Sequence, residues 1–127
     1  MKQTNRKGFT LAELLIVVAI IAVLVAIAIP VFTTQLHNAR VAADVANVRA
    51  YYAELQADYM ETGVQNPSVV DSTKPGFDFY TIKFLNGDTV KLKAGAYQFF
   101  YQDSGYRFVY NCNDYTEHPE HIYTFGK

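Results

Sequence analysis

A single carboxylate, Glu13, stands at the mouth of an apolar run, since the nineteen residues from Leu14 to Phe32 carry no charge. An ionised side chain at the edge of such a segment is costly to hold in hydrocarbon, so it implies a partner or a role that offsets the cost. The other residues able to do chemistry collect at the far end of the chain. Asp114, Glu117 and Glu120 are oxygen donors of the kind calcium takes, but they lie in no ordered loop motif. Cys112, His118 and His121 are sulfur and nitrogen donors of the kind zinc takes, but they lack a Cys-x-x-Cys and the longer His–His spacing of zinc modules. The expectation for residues 112–127 is therefore a surface tail ending in a short edge strand at His121–Phe125, with no metal and no cofactor. No Gly-x-Ser-x-Gly elbow, phosphate-cradling glycine loop or carboxylate pair in an obvious cleft is present. Nothing near Cys112 would activate its thiolate toward His118 as a base. The chain is not expected to be an enzyme.

The elements that would position these residues follow from composition and periodicity. The 127 residues fit one domain with a distinct amino-terminal stretch. With Lys2, Arg6 and Lys7 set aside, eight of the eleven cationic side chains face twelve carboxylates, so the body is acidic and a poor general nucleic-acid binder. The lone Cys112 excludes an intramolecular disulfide, and a small core must hold without one. From Phe9 to Glu61 there is no glycine and one proline, Pro30, while Gly63 offers a helix stop. Such a helix would be near 80 Å long at about 1.5 Å per residue, with Pro30 removing one backbone hydrogen bond and kinking or loosening it. It would be apolar all round over residues 9–32. Over 33–62 it would be one-sided, with Val41, Val45, Val48, Tyr52, Leu55 and Tyr59 on the buried stripe and Arg40, Asp44, Arg49, Glu54 and Asp58 opposite.

A turn-rich connector, 63–76, leads into four strand candidates at 77–85, 88–94, 96–102 and 106–111, with Asn86-Gly87 as a hairpin signal. Tyr80, Ile82 and Phe84 alternate with Thr81 and Lys83, which fits an antiparallel sheet laid on the helix stripe. The fold class is thus α+β: a long amino-terminal helix packed by its second half on an antiparallel sheet of about four strands spanning 77–111.

The amino terminus admits three readings. A secretory signal peptide would use Ala26-Ile-Ala28 as its cleavage site, but Glu13 interrupts its basic-to-apolar transition and Pro30 sits just past the cut. A plain single-pass anchor fits the length, since nineteen residues span about 28 Å, and the basic residues before it would keep the amino terminus cytoplasmic. Third, Lys7-Gly8-Phe9-Thr10-Leu11-Ala12-Glu13 resembles the class III signal of type IV prepilins and pseudopilins. That resemblance implies a leader, residues 1–8, removed after Gly8 by a prepilin peptidase that also methylates the new terminus, Phe9. It implies a pilin architecture, an assembly role for Glu13 and a helix-bending role for Pro30. The resemblance covers about the first thirty residues; many pilins close the tail with a disulfide, and this chain cannot.

Cleavage would give the chain a basic amine at Phe9, four residues before Glu13 and so on the same helix face. Paired between subunits, amine and carboxylate would fix axial register. A subunit lacking its partner would carry an uncompensated charge at a cost of about 3–5 kcal/mol. Repeated head to tail, that contact builds an open helical filament. Simple solvation of Glu13 at the headgroup level is the plain alternative.

The function implied is a structural subunit of a type IV pilus, stored in the cytoplasmic membrane and polymerised into an extracellular filament. Its implied partners are further pilin subunits, the peptidase and methyltransferase, and an assembly platform with its ATPase. The alternatives are a pseudopilin of a type II secretion or competence DNA-uptake machine, with DNA a partner only there, and a membrane-anchored binding domain that never polymerises.

Overall fold

The unbroken run of helix formers produces one helix, α1, from Leu11 to Thr62. It appears in a computed structural model that describes residues 8–114 and 116–127. The expected leader therefore lies, except for Gly8, outside the described residues. The chain divides into two units, one ending at Leu36 and one running from His37 to Lys127. In the first, every residue from Gly8 to Leu36 is exposed, Pro30 included, and the helical assignment is continuous through it. The hydroxyls of Thr33 and Thr34 both donate to the Pro30 carbonyl, at 2.9 and 3.1 Å. The segment is long and apolar enough to cross a membrane.

The second unit is an α+β head. Here α1 turns one face inward, burying Val41, Asp44, Val45, Val48, Tyr51 and Leu55. The helix stops where Gly63, at φ 73°, donates its amide to the Tyr59 carbonyl; only glycine reaches that left-handed conformation without strain. Five strands follow: β1 (Thr81–Lys83), β2 (Thr89–Lys91), β3 (Gly95–Gln102), β4 (Gly105–Cys112) and β5 (Ile122–Phe125), with a 3₁₀ turn at Pro119–His121 before the last. They form two antiparallel sheets, β1-β2 and β3-β4-β5. The predicted strand segments at 77–85 and 88–94 shrink to three residues each: Tyr80 still accepts from Leu92, opposite it in the hairpin, but Phe79 gives its carbonyl to Tyr97 of β3. The β1–β2 loop is a three-residue turn over Leu85-Asn86-Gly87, closed by Phe84 and Asp88. Asn86 keeps a negative φ and Gly87 alone is positive, so the predicted two-residue hairpin becomes a turn with a glycine bulge.

The core is aromatic. Tyr51 sits at its centre, edge-on to Phe84, Tyr97, Phe99 and Phe108 at centroid distances of 5.6 to 6.2 Å. Edge-to-face packing of this kind adds about 0.5–1.5 kcal/mol per pair beyond area burial. The Arg49 guanidinium lies 5.4 Å from the centre of the Phe125 ring, and Tyr52 stacks on the same ring, holding β5 to the helix.

Asp44 was expected on the polar face of the helix, but it is 1% exposed. Its carboxylate accepts the backbone amides of Lys93, at 2.8 and 3.0 Å, and Ala94, at 2.7 Å, and the Tyr110 hydroxyl at 3.1 Å. Three donors offset the cost of taking the carboxylate out of water and tie the helix to the β2–β3 bend and to β4. The connector is also tied down. Ser72 donates its amide and its hydroxyl to the Phe99 carbonyl and accepts the Phe99 amide on Oγ, so it lies along the outer side of β3.

Candidate functional site

The first turn of α1 is built by a reciprocal cap. Thr10 accepts the Glu13 amide on its hydroxyl at 3.2 Å, and the Glu13 carboxylate accepts the Thr10 amide at 3.0 Å through Oε2. This is a capping box: Thr at the cap and Glu three residues on satisfy two backbone donors that a helix terminus leaves unpaired. The Thr-x-x-Glu spacing was present in the sequence, but attention to Glu13 as an isolated charge passed over it.

The cap uses only one carboxylate oxygen, which leaves Oε1 to a second donor. Gly8 and Phe9 precede the cap in non-helical backbone, with Phe9 84% exposed and, among the described residues, nothing within 4 Å of where a Gly8 side chain would start. Beyond the cap, Leu14 to Phe32 present apolar side chains on every side of the helix and bury none of them. An apolar helix of this kind packs against lipid or against other apolar helices.

The tail residues singled out from sequence are drawn into the head. Cys112, at the end of β4, is 1% exposed, and burial pushes its thiol up from the ordinary range. Asp114 serves through its backbone carbonyl, which accepts the amides of Glu117 and His118. Glu117 is exposed. Glu120 lies 3.0 Å from His118 Nδ1 and 3.9 Å from His121 Nε2, and its carboxyl is held below the usual range by a backbone hydrogen bond and by His118. The structure adds a residue that sequence reading did not single out, His37 of α1, whose ring stands 5.5 Å from those of both His118 and His121. No spacing signal links position 37 to position 118.

Comparison with known proteins bears on the amino terminus and, more weakly, on the head. Residues 3–29 match the prokaryotic N-terminal methylation motif. The chain is 56% identical over 50 residues to the type IV narrow pilus major component PilA5 of Thermus thermophilus, a match covering 37% of this chain and 43% of that protein. It is 28% identical over 94 residues to the ComG operon protein 3 homolog of Bacillus licheniformis, covering 74% of this chain and 97% of that protein. The match thus spans less than half the length of the first relative and nearly all of the second. No solved structure matches significantly. In its methylation motif, and in its architecture of one long helix followed by antiparallel sheet, the chain resembles the type IV pilins and pseudopilins.

Proposed function

We propose that this chain is a structural subunit of a type IV pilus. The observation that carries the reading is the amino-terminal helix, which exposes apolar side chains on all sides behind a Thr10–Glu13 cap. In the membrane, lipid covers that surface, with the amino terminus cytoplasmic and the head outside. Cleavage after Gly8 frees the Phe9 amine, which is then monomethylated and remains basic. In the filament the same apolar surface packs against other copies, and the Phe9 ammonium of one subunit meets Glu13 of its neighbour. The cap supports this role because it holds the carboxylate in place through Oε2 while Oε1 receives the ammonium. Pro30 loosens the helix locally as subunits leave the bilayer. The partners are further copies of this chain or other pilins, a prepilin peptidase with methyltransferase activity, and an assembly platform driven by an ATPase. The role is structural, without catalysis.

A second reading, a pseudopilin of a competence or secretion machine, is favoured by the extent of the match to the Bacillus protein. Electron microscopy of cells separates the two: long surface fibres that disappear on deletion of the gene support the pilus. A normal surface accompanied by a defect in DNA uptake or secretion supports the pseudopilin. Mass spectrometry of the mature chain should find methylated Phe9 at its start. Glu13→Val should leave cleavage and membrane insertion intact and abolish or reduce assembly, whereas normal filaments from this variant would remove the register role.

A further inference from the structure

The four residues His37, Cys112, His118 and His121 come from three separate places in the chain and meet on one side of the head. His37 lies one helical turn before the buried Val41, so it shares the inward face of α1. Cys112 ends β4, and the following turn, with Pro119 opening its 3₁₀ segment, carries His118 and His121 back toward the helix. One ligand atom each from His37, Cys112 and His121 lie within 4.8 Å of one another, and the same holds for His118, Glu120 and His121. The His118 and His121 rings are stacked at 5.2 Å.

Two observations separate this cluster from ordinary packing. His121 is 9% exposed, and its Nδ1 is buried with no hydrogen-bond partner among the described residues; the same is true of His37 Nε2. Buried imidazole nitrogens are normally satisfied, so two unsatisfied ones beside a buried thiol ask for a shared acceptor of electron pairs. In addition, His118 Nδ1 is engaged by Glu120 Oε1 at 3.0 Å, which fixes the ring and directs Nε2 outward from the pair. A carboxylate on the far nitrogen of an imidazole is the arrangement that orients metal-ligating histidines and raises their basicity.

We propose that this cluster is a zinc site, with His37 Nε2, Cys112 Sγ, His121 Nδ1 and His118 Nε2 as the four ligands and Glu120 supporting His118. Mixed nitrogen and sulfur donors suit the borderline-soft Zn²⁺, and four protein ligands make a closed, structural site. Zinc bonds of about 2.0–2.3 Å put tetrahedral ligand atoms roughly 3.3–3.8 Å apart, so the His37, Cys112 and His121 atoms need to close by about 1 Å, and His118, which lies outside that group, swings in as the fourth ligand. On binding, Cys112 gives its proton to solvent and forms a thiolate–zinc bond, while the three imidazoles bind as neutral bases. The metal would then join the carboxyl-terminal turn to α1 in a chain that has no disulfide to do so.

The test uses the full-length chain in detergent micelles, stripped with a chelator and titrated with Zn²⁺ and with Co²⁺. Expected are one zinc per chain and a cobalt complex with tetrahedral visible bands and a thiolate charge-transfer band. His37→Gln should weaken zinc binding by at least about 100-fold, and Glu120→Gln by about 10–100-fold. Cys112→Ser should remove the charge-transfer band. The melting temperature should rise with zinc in the parent chain and not in His37→Gln, whose metal-free circular dichroism serves as the check on folding. Absence of stoichiometric zinc, an octahedral cobalt spectrum without a thiolate band, or unchanged affinity in a folded His37→Gln variant would each overturn the proposal.

Discussion

Asp44→Ala tests whether one buried carboxylate organises the head. The substitution deletes an acceptor that three donors share: the amides of Lys93 and Ala94 and the Tyr110 hydroxyl. Hydrogen bonds to a charged acceptor contribute about 1.5–3 kcal/mol each, but they share one desolvation cost and do not add in full. Leaving the three donors unpaired in a site 1% exposed should cost about 3–5 kcal/mol, as for other buried charged networks that lose one member. Tyr110→Phe removes a single donor and leaves the carboxylate its two amides, so it should cost about 1.5 kcal/mol, the low end of that range. For a head of this size each kcal/mol shifts the melting temperature by roughly 4–8 °C. Near-ultraviolet circular dichroism on heating should therefore show a drop of at least about 12 °C for Asp44→Ala, and roughly 6–12 °C for Tyr110→Phe. The reasoning fails if Asp44→Ala melts within about 3 °C of the parent, or no lower than Tyr110→Phe.

Two further outcomes follow from other parts of the chain. Thr10→Ala removes half of the capping box at about 1 kcal/mol, so amides of the first turn should exchange roughly fivefold faster; unchanged exchange would show that the cap contributes nothing. Burial pushes the Tyr51 hydroxyl up to about 12, and burial likewise raises those of Tyr97 and Tyr110. These phenols favour the folded state while neutral. Their stabilisation is complete below the unfolded-chain value near pH 10 and is lost as pH rises from there toward about 12. Tyrosinate absorbance should rise cooperatively together with loss of the fold, whereas a smooth titration centred near pH 10 in a folded chain would contradict the burial argument.

What could be read from the sequence depended on whether the signal was local. The long helix and its stop at Gly63 were legible because a run without glycine dictates them. The short edge strand at the end of the tail appears as β5, Ile122–Phe125, paired with β4. The stripe on α1 was legible except at its centre. A periodicity of apolar residues selects Tyr52 and puts Asp44 outside, but Asp44, Val48, Tyr51 and Leu55 are spaced four, three and four apart and lie fully inside. Charge type argued against Asp44, and only its distant partners, some fifty residues further on, reverse that argument. His37 was illegible for the same reason, since its neighbours are set by how the tail folds back. The second hairpin appears where strands 96–102 and 106–111 were expected, but Gly105 joins the ladder opposite Gln102 and leaves a two-residue turn, whereas the first is short and Phe79 before it gives its carbonyl to β3.

The Ser72 and Phe79 contacts along β3 have a consequence for crowding. A sheet edge with free amides and carbonyls invites pairing with an identical edge, and a filament holds many identical heads close together. Here the side of β3 away from β4 is occupied by its own connector, through Ser72 on Phe99 and the Phe79 carbonyl on the Tyr97 amide. The opposite edge of that sheet is β5, only four residues long. The three-stranded sheet therefore offers its neighbours little free backbone. In the filament proposed above, copies could then be stacked at high density without their sheets fusing, leaving contact between subunits to the apolar helix.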